Sequence, residues 1–284
     1  MVISIASGKG GTGKTTVSTN LAASLGKGVQ LLDCDVEEPN AHLFLNPEIK
    51  TKAPVFSLVP KVDGDKCTYC GNCAEICRFS AINIIGNTVL TFPELCHGCG
   101  GCMVVCPENA IADSGRELGV VETGSTGNSD FTHGVLRIGE AMSPPLIKAV
   151  RKLEGDDIIN IIDAPPGTSC PVIAAMKDTD FVLMVTEPTP FGLHDLKLAY
   201  EAVKLLGIPA GLVINRSDIG NSEVLNYAND EKLPVLLEIP FDRKIAEAYS
   251  NGRLIIDALP EWKDKFINLF KQIEIIIADN RETN

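Results

Sequence analysis

The chain has 284 residues, 45% of them apolar, which is enough to bury one large core or two smaller ones, and it carries a formal net charge of −12. That acidity argues against a general affinity for nucleic acid or for an anionic membrane surface. No run of 18 or more apolar residues is available to span a bilayer, and "MVISIASGKGG" lacks the basic n-region of a secretory signal, so a cytoplasmic location is expected.

Val2–Ala6 is a short β-rich run that ends in glycines, and Lys14–Leu25 follows with apolar residues at helical spacing. Between them "GKGGTGKTT", Gly8 to Thr16, matches G-x-x-x-x-G-K-[ST] at a strand-to-helix junction. In such a loop Gly8, Gly10, Gly11 and Gly13 let the backbone fold around phosphates with its amides pointing at their oxygens, and Lys9, Thr12 and Thr16 belong to the same cradle. Lys14 can bridge the outer phosphates of ATP or ADP, and the Thr15 hydroxyl can ligate Mg²⁺. Val29–Leu32 is a second strand and ends at Asp33-Cys34-Asp35.

The texture changes over residues 58–115, which are rich in Cys and Gly and internally repeated. "CTYCGNCAEICRFSAI" and "CHGCGGCMVVCPENAI" align at a 29-residue offset, and "INIIGNTVL" between them reads as a hairpin turning at Gly86-Asn87. Eight of the ten cysteines fall between Cys67 and Cys106. In a large chain with no export signal, clustered cysteines favour metal over disulfides. Zinc usually takes paired C-x2-C units, whereas two quartets of C-x2-C-x2-C-x3-C fit iron–sulfur clusters better.

After a Gly/Ser-rich connection at "ETGSTGNSD", buried strands resume at "DDIINIIDAPPG" and "FVLMVTEP". A helix over Leu193–Leu206 and the strands "AGLVIN" and "VLLEIP" complete the pattern of an α/β fold, a mostly parallel sheet with helices on both faces. In the tail, Trp262, Phe266, Leu269, Phe270, Ile273 and Ile277 follow helical spacing. The mixed charges opposite them point to a helix packed on the sheet rather than one laid on a membrane.

The stretch "SGKGGTGKTT" closely resembles the deviant phosphate loop of the MinD/ParA/Mrp family of P-loop ATPases. In that family the early lysine reaches a partner's ATP, which implies that Lys9 acts in trans within an ATP-dependent homodimer or a heterodimer with a paralogue. "LLDCDVEEPN" resembles switch I, implying that Asp35 positions or activates the attacking water and that Asp33 supports Mg²⁺. "IIDAPPGT" resembles the Walker B strand and switch II, with Asp163 holding a magnesium-bound water and Gly167 sensing the γ-phosphate. "VINR" resembles the adenine-reading element, with Asn215 on the base, and "EIPFD", which contains Pro240, resembles the loop that packs on it. The likeness covers most of residues 1–50 and 130–284.

The cysteine-rich block resembles bacterial ferredoxins that hold two 4Fe–4S clusters, in which each quartet lends its fourth cysteine to the other cluster. The resemblance implies one cluster on Cys67, Cys70, Cys73 and Cys106 and a second on Cys77, Cys96, Cys99 and Cys102. Cys106 is followed by Pro107 as usual, but Cys77 is followed by Arg78, a cation that favours the more negative, reduced form of the second cluster. Cys34 reads as a buried structural cysteine, and Cys170 lies just beyond switch II. The expected organisation is an ATPase domain over 1–57 and 116–284, with a small α+β ferredoxin-like domain inserted at 58–115. Its expected function couples nucleotide-driven dimer switching to electron transfer toward a redox partner protein. The alternatives are cluster assembly or delivery to an accepting protein, and a redox-sensing positioning ATPase.

Overall fold

The computed structural model describes residues 1–283. It divides into two compact units: one of Met1–Lys52, Val121–Val135 and the chain from Ile147 onward, the other of Ala53–Val120 and Leu136–Leu146. In chain order the strands are β1 (Val2–Ala6), β2 (Val29–Asp33), β3 (Glu48–Ser57), β4 (Pro60–Val62), β5 (Ile82–Ile85), β6 (Thr88–Thr91), β7 (Ile111–Asp113), β8 (Arg116–Ser125), β9 (Asp130–Leu136), β10 (Ile159–Asp163), β11 (Phe181–Thr186), β12 (Ala210–Asn215) and β13 (Val235–Ile239).

Nine of these form one sheet in the order β13-β12-β11-β1-β10-β2-β9-β8-β3. From β13 to β9 all the pairings are parallel. All of β2 and β11 is buried, as expected of strands covered by helices on both faces. The register sets Asp163 of β10 beside Asp33 of β2, and Asp33 beside His133 of β9. The strand ends therefore gather acidic side chains before any loop is considered. The helix Lys14–Leu25 and the C-terminal helix from Trp262 share the largest core, where Phe266, Leu269 and Ile273 are fully buried. The tail is a packed helix, as its charge pattern suggested.

The stretch "ETGSTGNSD" corrects the sequence reading, because strand β8 runs through Ser125 and β9 begins at Asp130, leaving four residues of turn. Gly124 sits so close to the Glu48 carbonyl that a Cβ has no room. Its glycine marks close backbone approach within a strand, not a loop.

The second unit is built from two antiparallel pairs, β4–β7 and β5–β6, and two short helices, Asn72–Ile76 and Gly101–Val104. The β5–β6 hairpin turns at Gly86-Asn87, where its alternation placed it. The 29-residue repeat persists in the backbone. Tyr69 and Gly98, Gly71 and Gly100, and Ser80 and Asn109 are left-handed in pairs. The halves interlock: Asp63 N–H donates to Ala110 O, and Phe92 N–H, 29 residues on, donates to Ala81 O. Buried between Arg116 and Arg137, the Glu140 carboxylate ties Leu136–Leu146 to the rest of this unit.

Candidate functional site

The nucleotide loop follows β1 directly. Gly13 has φ of 100°, and a Cβ there meets the Asn215 amide nitrogen at 2.6 Å, so only glycine lets the loop turn into the helix at Lys14. Gly8 is packed against the Asp195 backbone with no space for a side chain. Gly10, Gly11, Gly13, Lys14, Thr15 and Thr16 form one wall of a cavity of about 430 Å³. Asp35, Glu38 and Asn40 bound it on a second side, with Pro166 nearby. Asn215, Arg216, Pro240, Phe241 and Tyr249 line it as well. Its size suits a small ligand, and its lining combines glycine backbone and a lysine with carboxylates and the rings of Phe241 and Tyr249.

Burial lowers the pKa of Lys14, with Asp163, Asp35 and Asp33 pulling against it in that order. Burial likewise pushes Asp35 up to about 6, opposed first by Lys14. Asp163 is fully buried; neither carboxylate oxygen makes a hydrogen bond of full geometry among the described residues, but the Thr15 and Ser18 hydroxyls lie close enough to lower its pKa. Burial raises it to about 6, with Lys14 the largest opposing influence. A buried carboxylate facing a lysine and a threonine hydroxyl is chemistry that suits a hydrated Mg²⁺. The residues fit that ion.

Asp33 is committed elsewhere. One of its oxygens accepts from Asp35 N–H at 3.1 Å, and the other from Asn40 and Ala41 N–H at 3.1 and 3.0 Å. Burial and then Asp163 hold it well above the usual carboxylate range. It shapes the segment that carries Asp35 and does not line the cavity. Gly167 also lies off the cavity wall, its N–H donating to Ser7 O at 3.0 Å, so the chain after β10 is tied to the residue that opens into the phosphate loop. Asn215 lines the cavity, but its amide group donates to Thr12 O at 2.9 Å. Thr12 is buried with its hydroxyl unpartnered, and Lys9 stands outside the cavity. Arg216, Phe241 and Tyr249 on the cavity wall were not singled out from sequence, although Arg216 and Phe241 sit beside motif residues that were.

In the second unit, Cys67, Cys70, Cys73 and Cys106 line one cavity, and Cys77, Cys96, Cys99 and Cys102 line another. All eight are free thiols. Ala81 N–H donates to Cys77 Sγ at 3.3 Å and Ala110 N–H to Cys106 Sγ at 3.3 Å, the same contact repeated 29 residues on. Gly98 N–H reaches Cys96 Sγ at 3.4 Å. Burial is the largest influence on Cys77, but the backbone amides of Phe79, Ala81, Ile82 and Ser80 together bring its pKa below the usual thiol value. Burial raises Cys73 and Cys102. No three His, Cys, Asp or Glu side chains among the described residues converge on the position of a single metal ion. Four thiols around a cavity, with amides aimed at sulfur, fit a polynuclear iron–sulfur group, whose corners stand further apart than the ligands of one ion. The second cavity differs from the first in the Phe79–His97 stack at its wall, with ring centroids 3.5 Å apart.

Cys34 is fully buried, and burial followed by Asp33 pushes its thiol well up, whereas Cys170 is exposed. No helix among the described residues is long and apolar enough to cross a membrane.

A family model described as the CobQ/CobB/MinD/ParA nucleotide binding domain matches residues 3–255. Two uncharacterized proteins of Methanocaldococcus jannaschii, MJ0579 and MJ0578, are 33% and 31% identical, covering 89% and 98% of this chain and 90% and 98% of their own lengths. An iron-sulfur cluster carrier protein of Pyrococcus horikoshii is 26% identical over 96% of this chain and 87% of its own. The structure of the septum site-determining protein MinD of Pyrococcus horikoshii, complexed with Mg-ADP, is similar in fold, with a TM-score of 0.58 at 23% identity over 96% of this chain and 95% of that one. With its phosphate loop, buried strand-end carboxylates and parallel sheet, the chain belongs to the CobQ/CobB/MinD/ParA family of P-loop ATPases.

Proposed function

We propose that this ATPase is an iron–sulfur protein in which nucleotide-driven switching of a dimer gates electron transfer through two 4Fe–4S clusters. They would be held on Cys67, Cys70, Cys73 and Cys106 and on Cys77, Cys96, Cys99 and Cys102, in an inserted ferredoxin-like domain over about 58–115. One observation carries the reading: each cysteine-lined cavity takes three thiols from one repeat and one from the other, Cys106 crossing to the first and Cys77 to the second. The clusters would supply one-electron chemistry, accepting from a low-potential reductant and donating to a redox partner protein.

On the nucleotide side, the loop amides and Lys14 bind the phosphates, and Thr15 and Asp163 serve Mg²⁺. Asp35, raised to about 6, is poised to accept a proton from the attacking water near neutral pH. The γ-phosphate competes with Ser7 O for the Gly167 N–H, so triphosphate binding detaches switch II from its resting bond. The chain leaving Asp35 enters β3, whose second half already belongs to the cysteine-bearing unit, so a switch movement has a short covalent path to it.

Serine substitutions test the cluster assignment in the anaerobically reconstituted protein. Cys106→Ser should lose about half the iron, and its remaining electron paramagnetic resonance signal should match that of Cys70→Ser and differ from that of Cys99→Ser. If Cys106→Ser matches Cys99→Ser, the crossed assignment is wrong.

Delivery of clusters to an accepting protein is a second reading, favoured by the exposure of Cys70 and Cys99 and by the name of the Pyrococcus carrier protein. Transfer of iron and sulfide to an apo-acceptor, faster with ATP, would support it over electron traffic.

A further inference from the structure

Glu187 follows β11, next to the nucleotide-loop strand in the sheet, and is only 8% exposed. Neither the motifs nor the cavity lining gives it a role. Its Oε2 lies 3.8 Å from Lys9 Nζ, and its Oε1 lies 2.9 Å from Arg216 Nη1. A carboxylate this buried is costly unless paired, and here both partners belong to nucleotide-site segments. Arg216 is held in turn by backbone: it is left-handed at φ of 54°, and its N–H donates to the Asn215 side chain.

The two pairs are unequal. The Arg216 contact is the closer ion pair, at 2.9 Å, and the Lys9 contact lies near the outer limit of pairing; neither is a hydrogen bond, and Glu187 Oε1 has no hydrogen-bond partner among the described residues. The nearer guanidinium therefore holds the carboxylate by charge, and the carboxylate orients Lys9 electrostatically while leaving the ammonium's hydrogens free for another acceptor. Lys9 is absent from the wall of its own cavity, although Gly10, Gly11 and Gly13 of the same loop form it. At 31% side-chain exposure the ammonium remains reachable from outside.

We propose that Glu187 is a positioning residue for Lys9: braced by Arg216, it holds the ammonium out of its own nucleotide cavity and ready for the nucleotide of a second copy of the chain. This rests on the reading that Lys9 acts in trans. Glu187 then serves its partner's ATP hydrolysis and not its own.

Mixed dimers separate these cases. Asp35→Asn inactivates its own site but still lends Lys9. Glu187→Gln keeps its own Asp35 but lends a misplaced Lys9, and its homodimer should lose on the order of tenfold or more in kcat at little changed KM. Mixing the two should restore ATPase activity that neither has alone, because the Glu187→Gln site receives an intact Lys9 from the Asp35→Asn copy. Lys9→Ala mixed with Asp35→Asn is the control and should complement in the same way. If the control complements and Glu187→Gln does not, or if Glu187→Gln alone is faster than the native protein, the positioning role is overturned. If the control itself fails, the trans reading of Lys9 fails with it. Binding of a fluorescent ADP analogue shows that the Gln variant is folded. Should it not bind, Glu187→Asp, which keeps the charge but withdraws it by one methylene, takes its place and carries the same expectation.

Discussion

Replacing Asp163 by Asn should stabilise the nucleotide-free, Mg²⁺-free protein while abolishing its Mg²⁺-dependent chemistry. The carboxylate is fully buried and is raised by burial from 3.8 to about 6, even with Lys14 and the Thr15 and Ser18 hydroxyls opposing the shift. At 1.36 kcal/mol per pH unit, keeping it charged at neutral pH costs the fold about 3 kcal/mol. An unpaired buried amide returns roughly 1 kcal/mol of that cost, leaving a net gain of about 2 kcal/mol. The sign follows from linkage. Between 3.8 and about 6 the folded chain holds a proton that the unfolded chain has released, so stability falls as pH rises through that window and the full penalty stands above it. The variant should therefore be the more stable at pH 7.5 and the less stable, by roughly 1 kcal/mol, near pH 4, where only the cost of the amide remains. The assay is thermal unfolding in EDTA at both values, and for a chain of this size the gain at pH 7.5 should raise Tm by roughly 4–8 °C. An Asn variant of equal or lower Tm at pH 7.5 would show that the buried Asp163 charge is not a cost stored in the fold.

Two further outcomes concern the rate and the clusters. The pH dependence of kcat/KM for ATP should rise on a limb centred near 6, the value to which burial pushes Asp35, and level off above it; Asp35→Asn should lower kcat by about 10²–10⁴ and lose the limb. A flat profile from pH 5 to 8 in the native protein would remove Asp35 as the titrating base. Arg78→Pro should lower the midpoint potential of the cluster on Cys77, Cys96, Cys99 and Cys102, because a cation beside the more negative reduced form is lost, and leave the other unchanged. Equal potentials in variant and native protein would show that Arg78 does not tune it.

The alternation of apolar strands with helices, and the spacing of the phosphate loop, were legible because both are local patterns that the fold preserves. The register of β2 and β10 was not, yet it is what sets Asp33 beside Asp163 and turns two separate motifs into one acidic cluster. Asp33 looked like a magnesium-site residue from its place in the motif. Its oxygens are instead spent on three backbone amides that the sequence could not reveal. Gly124 misled for a related reason, since a glycine chosen for a tight strand contact cannot be told from one chosen for a loop until its neighbour is known. Leu136–Leu146 joins the cysteine-bearing unit through the buried Arg116–Glu140 pair, a long-range contact with no local signature. Glu187 and Tyr249 were overlooked because neither lies within a recognised motif, and only the folded chain brings them to the nucleotide site.

Whether the nucleotide state is felt at the cysteine sites is decided by a redox titration followed by electron paramagnetic resonance. The reconstituted protein would be titrated anaerobically in Mg-ADP and again in a non-hydrolysable Mg-ATP analogue. Two reduced-cluster signals are predicted, at least one with a midpoint potential that moves between the nucleotides, and with no such movement in Lys9→Ala. Two signals with the same potentials in both nucleotides would contradict the coupling, and the absence of both signals would contradict the clusters themselves.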